Sequence, residues 1–294
     1  MKLSDACEAY LRDMEARNLR ASTRNNYKSL FRAWRRYADQ HGFSELNSFD
    51  HAEMRAWRES WICEPSTQAR QLKQLRAFFT HAIEAGWIIA SPLSGVKLPR
   101  SRSKPTMPLS KDDFRALVAA AASKPKEQAL LLLMRFSGLS IGDAVTLRRD
   151  AIDGNNLTLR RAKSDELVMV YLPSQVLEAL ERIQRPDHAY FFWTGTSLPD
   201  TAAKYWRSRL HLVARKAGVK YFKPHRLRHT FAVEALIADV DIKDVSTMLG
   251  HSSVNTTERD YAQWNLARRN RLVRITREMY ERNPSLLVFE GMHS

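Results

Sequence analysis

Lys223-Pro224-His225-Arg226-Leu227-Arg228-His229-Thr230-Phe231-Ala232 is the stretch on which the reading of this chain turns. A helix is expected over residues 226–238, and His225 and Arg228, three apart, then lie one turn from each other and can face one anion. Alone, such a pair is commonplace. Downstream come Met248-Leu249-Gly250-His251 and then Thr256-Thr257-Glu258-Arg259-Asp260-Tyr261, which ends in a lone tyrosine before a last predicted helix over 264–282.

In this order and at these intervals the three segments resemble the C-terminal box of tyrosine recombinases, the phage integrase family, with its HxLRH, LGH and terminal tyrosine motifs. The resemblance extends over nearly the full chain. It implies a mainly α protein of two domains: an all-helical core-binding domain of SAM-like type over residues 1–103, and a mostly helical catalytic domain with a small β-hairpin over residues 104–294.

The resemblance also implies a chemistry. Tyr261 would attack a scissile phosphodiester and leave a 3′-phosphotyrosyl link and a free 5′ hydroxyl; the bond energy is kept, so neither ATP, metal nor any other cofactor is expected. His225 matches the family's base, Arg228 its second catalytic arginine and His251 the third polar ligand of the same phosphate. Lys163, in Arg161-Ala162-Lys163-Ser164, matches the lysine that protonates the leaving 5′ oxygen, and Asp143 the acid that supports the site. Such help is needed, because a phenol with a pKa near ~10 is a poor nucleophile at neutral pH. A planar guanidinium can in turn hold two non-bridging oxygens as charge builds on them.

One position departs from the pattern. The family reads Thr/Ser-Gly-Leu-Arg where this chain has Ser137-Gly138-Leu139-Ser140, so a serine stands in place of the first catalytic arginine. Serine is a good helix N-cap, and Ser140-x-x-Asp143 has the form of a capping box, so the local fold should survive while the charge does not. A helix start still offers N–H groups to a phosphate but no full cation. Arg135 could substitute only if its side chain reaches the pocket. Losing one transition-state donor costs ~10² to 10³ in rate, so DNA binding with severely weakened cleavage is expected, and Ser140→Arg should recover ~10² or more.

Composition agrees with a nucleic-acid partner. The 294 residues carry 47 Lys and Arg against 32 Asp and Glu, a net charge of +15, shared almost equally by residues 1–104 and 105–294. Spread phosphate charge rewards many such contacts. An anionic membrane would call for a basic block or a strongly amphipathic terminal helix, and neither stands out. No apolar run is long enough to cross a bilayer and no leader is visible, so the cytoplasm is the expected location. Cys7 and Cys63 lack metal-ligand spacing and are expected to be buried small apolar residues.

The amino-terminal half reads as four helices near 2–17, 22–41, 51–61 and 67–86. In the second, Tyr27, Leu30, Phe31, Trp34 and Tyr37 form an apolar stripe, and Arg24, Lys28, Arg32 and Arg35 line another face. The fourth repeats this with Leu72, Leu75, Phe79 and Ile83 inward and Arg70, Lys73 and Arg76 outward. A solvated charged face is the plain alternative for either helix; two of them in a basic domain favour DNA. The stretch from Leu98 to Pro105, with Arg100, Arg102 and Lys104, reads as an exposed basic linker. Beyond it, Ser110-Lys111-Asp112-Asp113 resembles a capping box, and runs at 157–161 and 167–172 suggest a β-hairpin.

Two rival readings exist. His225, His229 and His251 could bind a metal, but Arg226 stands where a metallohydrolase would place a glutamate, beside a further cation at Arg228. The other rival is a non-catalytic, architectural DNA-binding protein of the same fold, which Ser140 favours. The resemblance further implies double-stranded DNA with paired half-sites, and a dimer or tetramer of this chain. Its last helix, with Arg268, Arg269, Arg271, Arg274 and Arg277 among Leu266, Leu272 and Ile275, would dock on a neighbouring protomer. Both basic domains would clamp one duplex. Affinity for duplex DNA should therefore fall by orders of magnitude from low to moderate salt in a titration; an affinity nearly flat over that range would contradict the reading.

Overall fold

The computed structural model describes residues 1–99, 106–185, 187–261, 264 and 266–283, without the side chains of residues 259, 260 and 266–271. The linker positions Arg100, Arg102 and Lys104 lie outside the described residues. The chain divides into two compact units, Met1–Lys104 and Pro105–Ser294.

The first unit consists of α1 (Leu3–Ala16), α2 (Ala21–Gln40), α3 (His51–Glu59) and α4 (Pro65–Glu84). The aromatic stripe of α2 is its core. Trp34 is fully buried, stacked on Trp57 with ring centroids 5.5 Å apart and 14° between planes, and met edge-on by Phe49, Phe78 and Phe79. Offset and edge contacts of this kind add to the apolar area that such rings remove from water. Asp50 caps α3 by accepting from the Glu53 N–H at 2.9 Å, and Pro65 opens α4, where its missing N–H costs nothing. Ile83, expected inward, is exposed; the buried positions step through Leu72, Leu75, Phe79 and Ala82, with Phe78 beside them, so 83 falls past the edge of the stripe. Cys7 is buried, and burial pushes its thiol up to about 12. Cys63 is only half-buried, in the loop before α4, contrary to expectation.

The basic positions of this unit divide into two kinds. Lys28, Arg32, Arg70 and Lys73 are exposed. Arg24 and Arg35 pair with Glu15 and Glu8 of α1, at 3.3 and 3.7 Å, in partly exposed ion pairs of the kind worth about 0–1 kcal/mol. Phosphate can compete with such a pair. Arg76, expected on the outward face, is half-buried and donates to the Val96 carbonyl, so it braces the segment that follows α4.

The second unit begins its helices with α5 (Lys111–Ala120), α6 (Pro125–Ser137) and the short α7 (Ile141–Val145). Ser110 caps α5 by accepting from the Asp113 N–H at 3.0 Å. Leu130, Leu131, Leu133 and Met134 of α6 are fully buried and centre the core. A three-stranded antiparallel sheet follows: β1 (Ile152–Asp153), β2 (Asn156–Arg160) and β3 (Leu167–Tyr171), the first strand being an addition to the expected hairpin. Leu157 pairs with Val170 and Leu159 with Val168 on the inner face, while Thr158, Arg160 and Met169 face outward.

Then come α8 (Ser174–Glu181), α9 (Pro199–Lys216), α10 (His225–Ile237), α11 (Ile242–Leu249), α12 (Val254–Tyr261) and α13 (Leu266–Arg282). Packed against α6, α10 buries Leu227, Arg228, His229, Thr230, Ala232, Val233 and Leu236, so it runs through the interior and carries polar groups there. Its Arg226 donates to the carbonyls of Met107 and Pro108 at 3.0 and 3.1 Å, and the Leu109 N–H donates to Thr230 Oγ1 at 2.8 Å. On α13, Arg274 pairs with Asp239 at 2.8 Å, and Leu272, Val273 and Ile275 are exposed. Among the described residues no helix is long and apolar enough to cross a membrane.

Helices α6 and α11 both end on a left-handed glycine, Gly138 at φ +68° and Gly250 at φ +59°. Such a residue turns the last carbonyls of a helix toward a new partner, and an L side chain there costs about 1–2 kcal/mol. A Cβ on Gly138 would also lie 2.5 and 2.9 Å from two ring atoms of Phe231, and one on Gly250 would sit on Arg161 Cδ and Val168 Cγ2. Gly154, at φ +55°, has nothing within 4 Å. In calorimetry of the full chain, Gly138→Ala should destabilise the second unit by about 1–3 kcal/mol more than Gly154→Ala, the cost of overpacking. Equal losses would show that Phe231 yields freely.

Candidate active site

Arg228 is the centre of the polar interior of the second unit. Only 2% exposed, it donates through Nη1 to the Gly138 carbonyl and through Nη2 to the Leu249 carbonyl, both at 2.7 Å. Its guanidinium thus bridges the C-terminal ends of α6 and α11, where carbonyls lack intrahelical partners and the helix dipole is negative. Burial, and next the charge of Arg161, lower its pKa to about 10, with Tyr261 and Asp143 acting in the opposite sense. At neutral pH it remains a cation.

The second buried guanidinium is Arg161, at the end of β2 and 8% exposed. Its Nε donates to Asp143 Oδ2 at 2.9 Å and its Nη1 to the carbonyls of Leu249 and Gly250, each at 3.0 Å. The Leu249 carbonyl therefore accepts from both arginines. Asp143, 7% exposed, is the carboxylate of this cluster, and its Oδ2 also accepts from the Ser140 hydroxyl at 2.7 Å. Ser140 in turn accepts from the Asp143 N–H at 3.4 Å and caps α7. Two guanidinium groups and one carboxylate leave a net positive interior. Isolated buried charge is costly, and a bound anion would offset it.

The remaining expected residues, Arg135 apart, lie on α10 and α12 and just after β2 and α11. His251 follows Gly250, and its Nδ1 is 2.7 Å from the hydroxyl of Thr257, a fully buried residue of α12, which fixes the ring. Tyr261 closes α12, is 2% exposed and stacks on His229, with centroids 4.8 Å apart and 24° between planes. Lys163 is exposed in the turn between β2 and β3, two residues beyond Arg161; the neighbouring Ser164 hydroxyl donates to the Gly250 carbonyl at 3.0 Å and ties that turn to the end of α11. His225 is exposed at the first position of α10, one turn ahead of Arg228. Arg135 is held elsewhere: it pairs with Glu234, and its guanidinium carbon lies 5.4 Å from the ring centres of both Phe114 and Phe136. Among the described residues no group of three His, Cys, Asp or Glu side chains could hold a metal.

Two members of this cluster, Arg161 and His229, had no part in the recombinase site expected from sequence. For Arg161 a signal existed. Leu157, Leu159 and Arg161 share one face of a strand by the alternation of side chains, so an inward β2 leads to an inward arginine. For His229 the signals were its place as the last residue of the HxLRH motif and one turn beyond His225 on a largely buried helix. Its ring contact with Tyr261 joins residues 32 apart in sequence, which no local pattern encodes.

Comparison with known proteins gives the same architecture. Residues 108–268 match the phage integrase family, and residues 7–86 match the phage integrase N-terminal SAM-like domain. The tyrosine recombinase XerD of Pseudomonas putida is 28% identical over 265 residues, covering 82% of this chain and 87% of that protein. XerC of Xanthomonas campestris pv. campestris is 26% identical over 268 residues, 86% of this chain and 82% of its own. Among solved structures, a lambda integrase dimer bound to a COC′ core site superposes with a TM-score of 0.71 at 18% identity, over 88% of this chain and 78% of that one. The Tn1549 transposon integrase in complex with transposon right end DNA gives 0.71 at 18% identity, over 93% and 100%. The family match spans more than half of the sequence, including α10, the end of α11 and Tyr261, and on it this chain belongs to the phage integrase family.

Proposed function

We propose that this protein is a site-specific recombinase that cuts and rejoins duplex DNA through a phosphotyrosyl intermediate at Tyr261. The observation that carries the reading is the net positive interior of two buried arginines and one aspartate at the end of α11, with Tyr261 buried in the same unit and stacked on His229, the residue after Arg228. Tyr261 Oη attacks the scissile phosphorus, its proton passing to a base, for which His225 is the candidate. The bond to the 5′ oxygen breaks, and that oxygen takes a proton from Lys163. Arg228 and His251 hold the non-bridging oxygens while charge accumulates on them. Attack by a 5′ hydroxyl of another strand reverses these steps and releases Tyr261, so no external energy source enters the balance.

The exposed Lys28, Arg32, Arg70 and Lys73, together with Arg24 and Arg35 once released from their glutamates, give the first unit a basic surface for the duplex backbone. The linker positions Arg100, Arg102 and Lys104, outside the described residues, add three cations next to that unit in sequence. The relatives' solved forms include a dimer on a core site and a tetramer on a Holliday junction, which supports assembly of several copies of this chain on paired half-sites. The exposed Leu272, Val273 and Ile275 of α13 suit a neighbouring protomer. The cytoplasm, where such DNA is met, is the location that fits.

The architectural alternative rests on one observation, the serine at 140. A nicked suicide substrate carrying a mapped binding site of the protein separates the two. The parent chain should form a protein–DNA adduct that survives denaturant, and Tyr261→Phe should bind with affinity within about twofold and form none. Binding without any adduct from the parent would favour the architectural reading.

A further inference from the structure

We infer that Arg161 is a catalytic residue that supplies the cation absent at position 140, so that the first phosphate-binding charge has moved from the start of α7 to the end of β2. The inference rests on the function proposed above. Arg161 Nε and the Ser140 hydroxyl donate to the same oxygen, Asp143 Oδ2, at 2.9 and 2.7 Å, so the guanidinium stands two hydrogen bonds from the serine. On its other side it shares the Leu249 carbonyl with Arg228, which brings the two guanidinium groups together. A chain that needed Arg161 only to neutralise Asp143 would not have to place it against a second cation. Like charges so close repel, which adds to burial in lowering the pKa of Arg228.

The donors of Arg161 point the same way. Its Nε is committed to Asp143 and its Nη1 to the two carbonyls, and its Nη2 makes no hydrogen bond among the described residues. A guanidinium has five N–H groups in a fixed fork, so with Nε and Nη1 engaged the two N–H groups of Nη2 remain to meet an oxygen of phosphate. The anchoring also restricts the side chain before any ligand arrives, the preorganisation that transition-state donors require. Lys163, the proposed acid for the leaving oxygen, lies two residues farther along the same chain. β2 and its turn thus deliver both groups.

Four full-length proteins test this: the parent, Arg161→Gln, Ser140→Arg, and Ser140→Arg with Arg161→Gln. Each is assayed on the suicide substrate with an ordinary scissile phosphate and with a methylphosphonate there, which lacks the negative charge. Arg161→Gln should lower adduct formation by ~10² or more on the phosphodiester and by under about tenfold on the methylphosphonate, because a donor dedicated to charge has little left to stabilise. The double variant should recover most of the loss, since the arginine introduced at position 140 can pair with Asp143 in place of the one removed. Ser140→Arg alone should gain under about tenfold, where the sequence by itself predicts ~10².

Equal losses of Arg161→Gln on both substrates, without rescue, would mean a structural role only and overturn the inference. So would a hundredfold gain from Ser140→Arg in the parent background, a result that stands even if Arg161→Gln fails to fold. Four proteins that bind the site and form no adduct on either substrate would instead overturn the recombinase reading itself, and this inference with it.

Discussion

A guanidinium suspended between two helix ends sets the constraints on the rest of the second unit. Arg228 can be buried because α6 and α11 each stop at a left-handed glycine and turn a carbonyl toward it. Hydrogen bonds to a charged group contribute about 1.5–3 kcal/mol each, and removing the cation would leave two carbonyls buried without a partner. The same geometry explains why α10 passes through the interior despite its polar residues. It also explains why Gly250 cannot carry a side chain: Arg161 and Val168 occupy the space a Cβ would need.

The short motifs in the sequence therefore specify backbone as much as chemistry. Leu249-Gly250-His251 supplies a carbonyl shared by two arginines, a second carbonyl for one of them, and a ring fixed by Thr257. Ser137-Gly138-Leu139-Ser140 supplies the facing carbonyl and the cap of α7. The serine at 140 keeps the capping function of that corner intact, and Asp143, left without an arginine beside it on α7, takes one from β2.

Periodicity made most elements readable before any coordinates. The stripe of α2, the caps at Ser110 and Ser140, and the hairpin at 157–172 all rest on interactions between residues a few positions apart, which a local pattern records. The places where the reading failed are those where distant segments decide. Arg76 turned inward because Val96 lay within reach, and Arg135, whose reach the sequence left open, is held by Glu234 and two phenylalanine rings; Ile83 faces outward for a local reason, lying past the edge of the stripe. The partnership of Asp143 with Arg161 spans a helix, two strands and a turn, so neither residue's neighbours in sequence announce it.

The anchoring of residues 107–109 on α10 has a mechanical consequence. Arg226 grips the carbonyls of Met107 and Pro108, Thr230 receives the Leu109 N–H, and Arg228 lies between them on the same helix. The start of the second unit is therefore fastened within one turn of the buried guanidinium. Any displacement of residues 107–109 is delivered directly to α10.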